Sequence, residues 1–255
     1  MTDRPLDLAL FAADEPGAEI ARFIASRGDR VALLVLDHQN YRGCNEAIVE
    51  AIGGQADRVV MADCGGDVQE GLRNADLALL AWWPHIIRRE LLAVPRLGFL
   101  NCHPSLLPHN RGKHYNFWAL VEEAPFGVSI HWVTEQVDAG DVAFQAPIAT
   151  TWEDTGQTLF HKARAAMVDL FRANYDRIRR GDIPRIPQDL ASGSSHKSSE
   201  IEAASRIDLD GTVRARGLLN LLRARTFAGH PAAWFADGGE RYEVRVEIKK
   251  TDERN

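Results

Sequence analysis

LDLALFAADEPGAEIARFIASRGDRVALLVL, residues 6–36, holds two apolar runs with one amphipathic segment between them. The runs LDLALFA (6–12) and RVALLVL (30–36) are short and nearly continuous in hydrophobic character, the pattern of strands buried on both faces. Between them, EPGAEIARFIASRGD sets Ile20, Phe23 and Ile24 on one helix face and ends at Gly28, the residue type that closes helices. Strand, helix and strand in that order make a crossover unit, and crossover units build parallel sheets. DRVVMA (57–62), DLALLAW (76–82) and LGFLNC (97–102) repeat the strand signature, each after a segment of helical spacing. The spacing therefore predicts an α/β fold with a mostly parallel sheet.

Downstream the pattern changes. GVSIHWV (127–133) and DVAFQAPI (141–148) are separated by TEQVDAG and predict a hairpin-like extension. Leu159, Ala163, Ala166, Leu170, Tyr175 and Ile178 keep near-helical spacing and predict one long helix from about Thr155 to Arg180, closed by Gly181. DIPRIPQDLASGSSHKSSE, with two prolines and a serine cluster, reads as an irregular linker. A second helix is expected from about Thr212. AAWFADGG and ERYEVRVEIKK then form two strands around Asp237-Gly238-Gly239, with Tyr242, Val244, Val246 and Ile248 on one face. Such a hairpin is marginal alone and should pack on the main domain or on another subunit. The expected division is a catalytic domain over 1–183, a linker over 184–199 and a small α+β region over 200–255.

Composition narrows the function classes. The 255 residues carry 30 basic and 36 acidic side chains, a formal charge of -6, which disfavours broad contact with a nucleic-acid backbone. Cys44, Cys64 and Cys102 lie far apart with no CxxC pair, arguing against a structural zinc site and a disulfide framework and for a reducing cytoplasm. No apolar stretch reaches eighteen residues, so neither a secretory leader nor a membrane span is expected. No GxGxxG or GxxxxGK[ST] occurs, which leaves nicotinamide and ATP sites without support.

LNCHPSLLP, residues 100–108, is where chemistry concentrates. Strand side chains alternate faces, so Asn101 and His103 project together at the strand's carboxyl end while Cys102 points away. Open α/β sheets bind ligands beyond those ends. An amide stabilises a developing oxyanion without titrating, and an imidazole exchanges a proton near neutrality. Pro104 and Pro108 restrict the backbone around them. Asp138, in VDAGDV between two predicted strands, is placed where a carboxylate can reach back over the sheet end to orient His103 or take a proton through water; an ordinary Asx turn before Gly140 is the alternative. By the same reading His131 braces the sheet.

LGFLNCHPSLLPHNRG followed by FGVSIHWVTEQVDAGDVAFQ resembles the signature of the folate-dependent formyltransferases: Asn-x-His-x-Ser-Leu-Leu-Pro, then Gly-Val-x-x-His, then Asp-x-Gly. The resemblance implies a Rossmann-like domain in which Asn101, His103 and Asp138 are catalytic and N10-formyltetrahydrofolate is the formyl donor, with no metal. It also implies that the pterin is held largely by backbone after the fourth strand, at Trp82, Trp83, Pro84, His85 and Ile86, and along the stretch from Val137 to Asp141.

The tail separates the relatives. SSEIEAASRIDLD and LLNLLRARTFAGHPAAWF resemble the C-terminal segment of the sugar-nucleotide N-formyltransferases, whose hairpin commonly supports a homodimer. Methionyl-tRNA enzymes continue into a larger domain, whereas residues 200–255 here balance ten acidic against ten basic side chains. The implied acceptor is the primary amine of a dTDP-, GDP- or UDP-linked 3- or 4-amino dideoxy sugar, of the kind destined for O-antigen and lipopolysaccharide. Arg223, Arg225, Phe227, His230 and Trp234 offer phosphate donors and aromatic surface for such a substrate. Lys113, His114, Tyr115 and Asn116 follow a turn permitted by Gly112 and are placed to meet its sugar or phosphates. A methionyl-tRNA formyltransferase, a formyltetrahydrofolate hydrolase and a non-catalytic folate or nucleotide sensor are the alternatives.

Overall fold

The computed structural model describes residues 5–62 and 65–251; Cys64 lies outside the described residues. Strands and helices alternate through the first hundred residues: β1 (Leu8–Ala12), α1 (Asp14–Ser26), β2 (Val31–Leu36), α2 (Asn45–Ile52), β3 (Val59–Met61), α3 (Gly65–Leu72), β4 (Leu77–Ala81), α4 (Arg89–Leu92) and β5 (Phe99–His103). Then come β6 (Arg111–Gly112), α5 (Tyr115–Val121), β7 (Gly127–Trp132), β8 (Val142–Pro147) and the long α6 (Gly156–Ile178). The chain finishes with β9 (Ser195–His196), α7 (Glu200–Ala204), α8 (Ala215–Ala224), β10 (Ala233–Asp237) and β11 (Glu240–Val244).

Seven strands form one sheet in the order β3-β2-β1-β4-β5-β7-β8. The first five run parallel, with Leu8 to Ala12 in register with Leu77 to Ala81, and β7 joins β5 antiparallel. The α/β fold with a mostly parallel sheet is the one expected from the apolar runs. Winding proceeds from β1 to β3 on one side and from β4 outward on the other, so the sheet reverses between β1 and β4, the position where such folds hold ligands. β3 is shorter than its apolar run because it is the edge strand, with Val59 47% exposed. The tail helix begins at Ala215, not near Thr212, since Thr212 and Val213 are exposed with no face to bury.

The chain divides into two compact units, Met1–Pro104 with Val128–Ala146 and Arg164–Gln188, and Ser105–Gly127 with Pro147–Ala163 and Asp189–Asn255. In the first, every residue of β1, β2 and β4 is buried, and Phe11, Leu33, Val35, Leu72, Leu80 and Phe99 pack on one face of the sheet. Phe23 of α1 packs edge-on against Phe171 and Tyr175. The Tyr175 hydroxyl donates to Asp29 Oδ2 at 2.8 Å, and Arg179 pairs with the same carboxylate. Burial, with that carboxylate beside it, drives the Tyr175 phenol well above its ordinary pKa, so it stays a donor.

In the second unit β6 and β9 pair in parallel, α5 packs on α8, and β10 and β11 form the hairpin around Gly238-Gly239. Gly112 sits at φ +89°, and a Cβ there would fall 2.2 Å from the His196 carbonyl oxygen, so only glycine allows this pairing. The segment read as an irregular linker is held at both ends. Ile186 exchanges backbone hydrogen bonds with Val142 in the first unit, and Ser195–His196 pairs with Arg111–Gly112 in the second. Among the described residues no helix is long and apolar enough to cross a membrane.

Leu34 is fully buried in β2, so Leu34→Ala is expected to lower unfolding free energy by ~2–5 kcal/mol, and Tyr175→Phe, which removes a hydrogen bond to a carboxylate, by ~1.5–3 kcal/mol, in urea titrations.

Candidate active site

Alternation along β5 turns Asn101 and His103 to one side, and the antiparallel register sets Asn101 opposite His131 and His103 opposite Ser129. Asp138, in the turn after β7, completes the group. Its Oδ2 lies 3.4 Å from His103 Nδ1, and its Oδ1 lies 3.5 Å from both His131 Nε2 and Asn101 Nδ2. His103 and His131 meet edge to face with ring centroids 6.0 Å apart. The carboxylate side chain is only 11% exposed, so it acts in a medium where charge is screened weakly.

One tautomer follows from the bonding. His131 Nδ1 lies 2.9 Å from the Trp132 carbonyl oxygen, which can only accept, so Nδ1 carries the proton. In the neutral ring Nε2 is then an acceptor for the Asn101 Nδ2 hydrogen at 3.2 Å, and that pairing turns the amide nitrogen toward the histidine.

The turn is held by close backbone contacts. Asp138 occupies the left-handed region at φ +50°. Gly140 has no substitute there, because a Cβ would fall 1.9 Å from the Trp132 carbonyl oxygen. Gln188 Nε2 donates to the carbonyls of Asp138 and Gly140 at 3.0 and 2.5 Å, and the Trp132 indole donates to the Pro184 carbonyl at 2.8 Å.

The residues after β4 divide. Trp83, His85 and Ile86 line a cavity of about 490 Å³ together with Phe11, His38 and Leu91, beyond the carboxyl ends of β1, β2 and β4. Trp83 Nε1 is buried with no hydrogen-bond partner among the described residues. Trp82 is not on that cavity wall; it takes φ +59° and carries the Arg164 guanidinium 5.7 Å over its ring. A bulky side chain in that backbone region stores about 1–3 kcal/mol, which places strain at the sheet reversal. Pro84, Val137 and Asp141 also lie off this wall.

In the second unit Lys113, Arg225 and His230 each come within electrostatic reach of His114, while Arg225 also feels Glu202 and Glu243. Burial first, then the Arg225 and Lys113 cations with His230 beside them, holds the His114 imidazole below its ordinary pKa. Arg225 is also buried, and its Nε has no partner among the described residues. The other expected substrate residues have packing partners: Tyr115 stacks near Phe126, Asn116 donates to the Gly156 carbonyl at 2.8 Å, and Phe227 packs on Phe160 and His230. Arg223 donates to the Thr151 carbonyl at 2.6 Å, and Trp234 lies under the Arg241 guanidinium.

Residues 25–172 match the family model described as formyl transferase. The chain belongs to the formyl transferase family. Residues 200–250 of this formyl transferase match a second model, the N-formyltransferase dimerization C-terminal domain. A methionyl-tRNA formyltransferase from Methylacidiphilum infernorum is 31% identical over 147 residues, covering 55% of this chain and 46% of that protein. The chain thus spans about half the length of that curated relative. Among solved structures, a 4-N formyltransferase from Francisella tularensis superposes with a TM-score of 0.81 at 20% identity, over 96% of this chain and 99% of that one. An N-formyltransferase from Helicobacter canadensis, in complex with folinic acid and dTDP-3-aminofucose, gives 0.70 at 16% identity over 92% and 85%. These two likenesses bear on the fold.

Two residues of this candidate site escape reading of the sequence. Gln188 sits in a proline-rich segment with no local signal, and only its contacts across the fold reveal it. His131 does brace the sheet, but it also sets the Asn101 amide; the register that pairs them is invisible until β7 is known to run antiparallel to β5. Cys102 points away from Asn101 and His103, and burial pushes its thiol up to about 12, so it stays a neutral thiol.

Iodoacetamide at pH 8 is therefore expected to leave Cys102 unlabelled in the native protein and to label it after denaturation, as read by peptide mass mapping. Gly140→Ala is expected to destabilise the fold by at least ~1–3 kcal/mol, since backbone and not a flexible side chain occupies the space, and unfolding midpoints measure it.

Proposed function

We propose that this chain transfers the formyl group of N10-formyltetrahydrofolate to the primary amine of a nucleotide-linked amino sugar. The convergence of Asn101, His103 and His131 on the part-buried Asp138 carboxylate carries the reading. Formyl transfer to an amine needs a donor for oxygen as charge builds on it, and an exit for the proton that nitrogen loses. Asn101 Nδ2 donates to that oxygen. His103, oriented through Nδ1 by Asp138, takes the proton as the amine attacks and delivers it to N10 as the bond between that nitrogen and the formyl carbon breaks, releasing tetrahydrofolate; the carboxylate stabilises the imidazolium in between. No covalent enzyme intermediate is required.

The folate supplies an activated formyl carbon. The cavity lined by Trp83, His85 and Ile86 fits its flat heterocycle in size and in aromatic lining, and the unpartnered Trp83 indole N–H suits a ring acceptor. Pro84, Val137 and Asp141 remain backbone contacts in this proposal, with Trp82 beside them.

The nucleotide sugar is supported by the C-terminal match and by the second unit's chemistry. A buried guanidinium without a hydrogen bond at Nε is costly unless an anion meets it, and a diphosphate is such an anion. Arg225, Lys113 and His230 are assigned to it, with Arg223, His114, Tyr115, Asn116, Phe227 and Trp234 around the sugar and base. The Helicobacter canadensis complex holds a substrate of this class. The C-terminal match also supports a homodimer. The methionyl-tRNA reading rests on a relative matched over 147 residues only, and the balanced charge of the tail adds little attraction for tRNA.

Purified protein incubated with N10-formyltetrahydrofolate and a panel of dTDP-, GDP- and UDP-linked amino sugars is expected to add the mass of one formyl group to one of them. Asn101→Ala and Asp138→Asn should each lower kcat by ~10²–10³-fold. Near wild-type turnover in both variants overturns the assignment of roles. Formate release without any sugar would make the chain a hydrolase instead.

A further inference from the structure

Strands β2 and β4 flank β1, so their carboxyl ends lie about 10 Å apart and side chains just past each can meet. Asp37 and His38 follow β2 directly, and His85 follows β4. Asp37 is 1% exposed, and its Oδ1 lies 2.7 Å from His85 Nε2 and 3.7 Å from His38 Nδ1. The two imidazoles stack with centroids 5.2 Å apart and planes 27° from parallel. The Asp37 backbone is fixed: its carbonyl accepts from the Asn40 N–H at 3.0 Å and from Asn45 Nδ2 at 2.8 Å, while the Gln39 N–H donates to Oδ1 at 3.1 Å.

A hydrogen-bonded Asp–His pair would account for one imidazole. It leaves unexplained a second one turned to the same oxygen and stacked on the first. The geometry points to a divalent transition-metal site of the zinc class formed by Asp37, His38 and His85, with a coordination position open to the cavity that both histidines line. One ligand atom from each residue falls within 4.8 Å of the others. Tetrahedral zinc with bonds of about 2.0–2.1 Å needs ligand atoms about 3.3 Å apart. The two measured separations straddle that value, and His38, 40% exposed at its side chain, has room to close the difference. Two nitrogens and one oxygen select Zn²⁺ or Co²⁺ over the oxygen-seeking Mg²⁺ and Ca²⁺. Three protein ligands leave a place for water or for an oxygen of whatever occupies the cavity. The buried carboxylate, hydrogen-bonded by the Gln39 N–H, has the outer-shell support that ligating carboxylates have elsewhere.

The inference does not depend on the formyl-transfer reading, and its test uses no folate and no sugar. The full chain, stripped with chelator, loaded with Zn²⁺ and desalted, is expected to retain one equivalent by elemental analysis. Co²⁺ in its place should give visible absorption bands of a four-coordinate site. Asp37→Asn and the double variant His38→Ala/His85→Ala should lose both signals while circular dichroism stays that of the wild type. His38→Ala alone, at an exposed side chain, guards against a folding artefact and should reduce retention at least tenfold. Well under one equivalent on the wild-type chain, or an unchanged cobalt spectrum in the double variant, overturns the site.

Discussion

The antiparallel pairing of β5 with β7 is the constraint on which the candidate active site rests. Five parallel strands present their carboxyl ends at one edge, but parallel neighbours are joined by long crossovers and cannot lend each other a tight turn. Reversing the next strand sets Asn101 against His131 across the pair and lets the turn after β7 carry Asp138 to His103. That turn closes only because position 140 has no Cβ to strike the Trp132 carbonyl. A secondary-structure choice thus becomes a chemical one.

Within that frame the polar groups order one another in sequence. The Trp132 carbonyl sets the His131 tautomer, His131 orients the Asn101 amide, and the buried Asp138 carboxylate lies beside both imidazoles and the amide. Gln188 holds the turn's backbone from outside the constellation. Groups so fixed need little reorganisation when charge develops on a bound substrate, which is the general source of electrostatic catalysis. The second unit contributes a separate feature, the buried Arg225 guanidinium, with its Nε unpartnered among the described residues. Across the end of β1, strand order brings His85, which follows β4, to Asp37 and His38, which follow β2.

Much of the fold was legible in the residues. Apolar runs at 6–12, 30–36, 76–82 and 97–102 report burial on both faces, and burial on both faces is what a parallel sheet covered by helices imposes. The pairing of Asn101 with His103 was legible for the same reason, since a period of two is a local property of an extended chain. Less was legible where packing decided the outcome. Residues 182–200 read as irregular from their prolines and serines, yet Ile186 joins the sheet edge through Val142 and Gln188 clamps the turn that carries Asp138. Their composition reports a lack of regular structure, not a lack of partners.

Local chemistry along the chain settled the element types, the apolar faces and the side from which Asn101 and His103 project, because each depends on neighbours within a few residues. Strand order, the reversed direction of β7, the meeting of Asp138 with His103 and of His85 with Asp37, and the clamp from Gln188 were decided only by the folded chain. Those contacts join residues from 30 to about 50 positions apart, and no periodicity or spacing rule reaches across the loops that separate them.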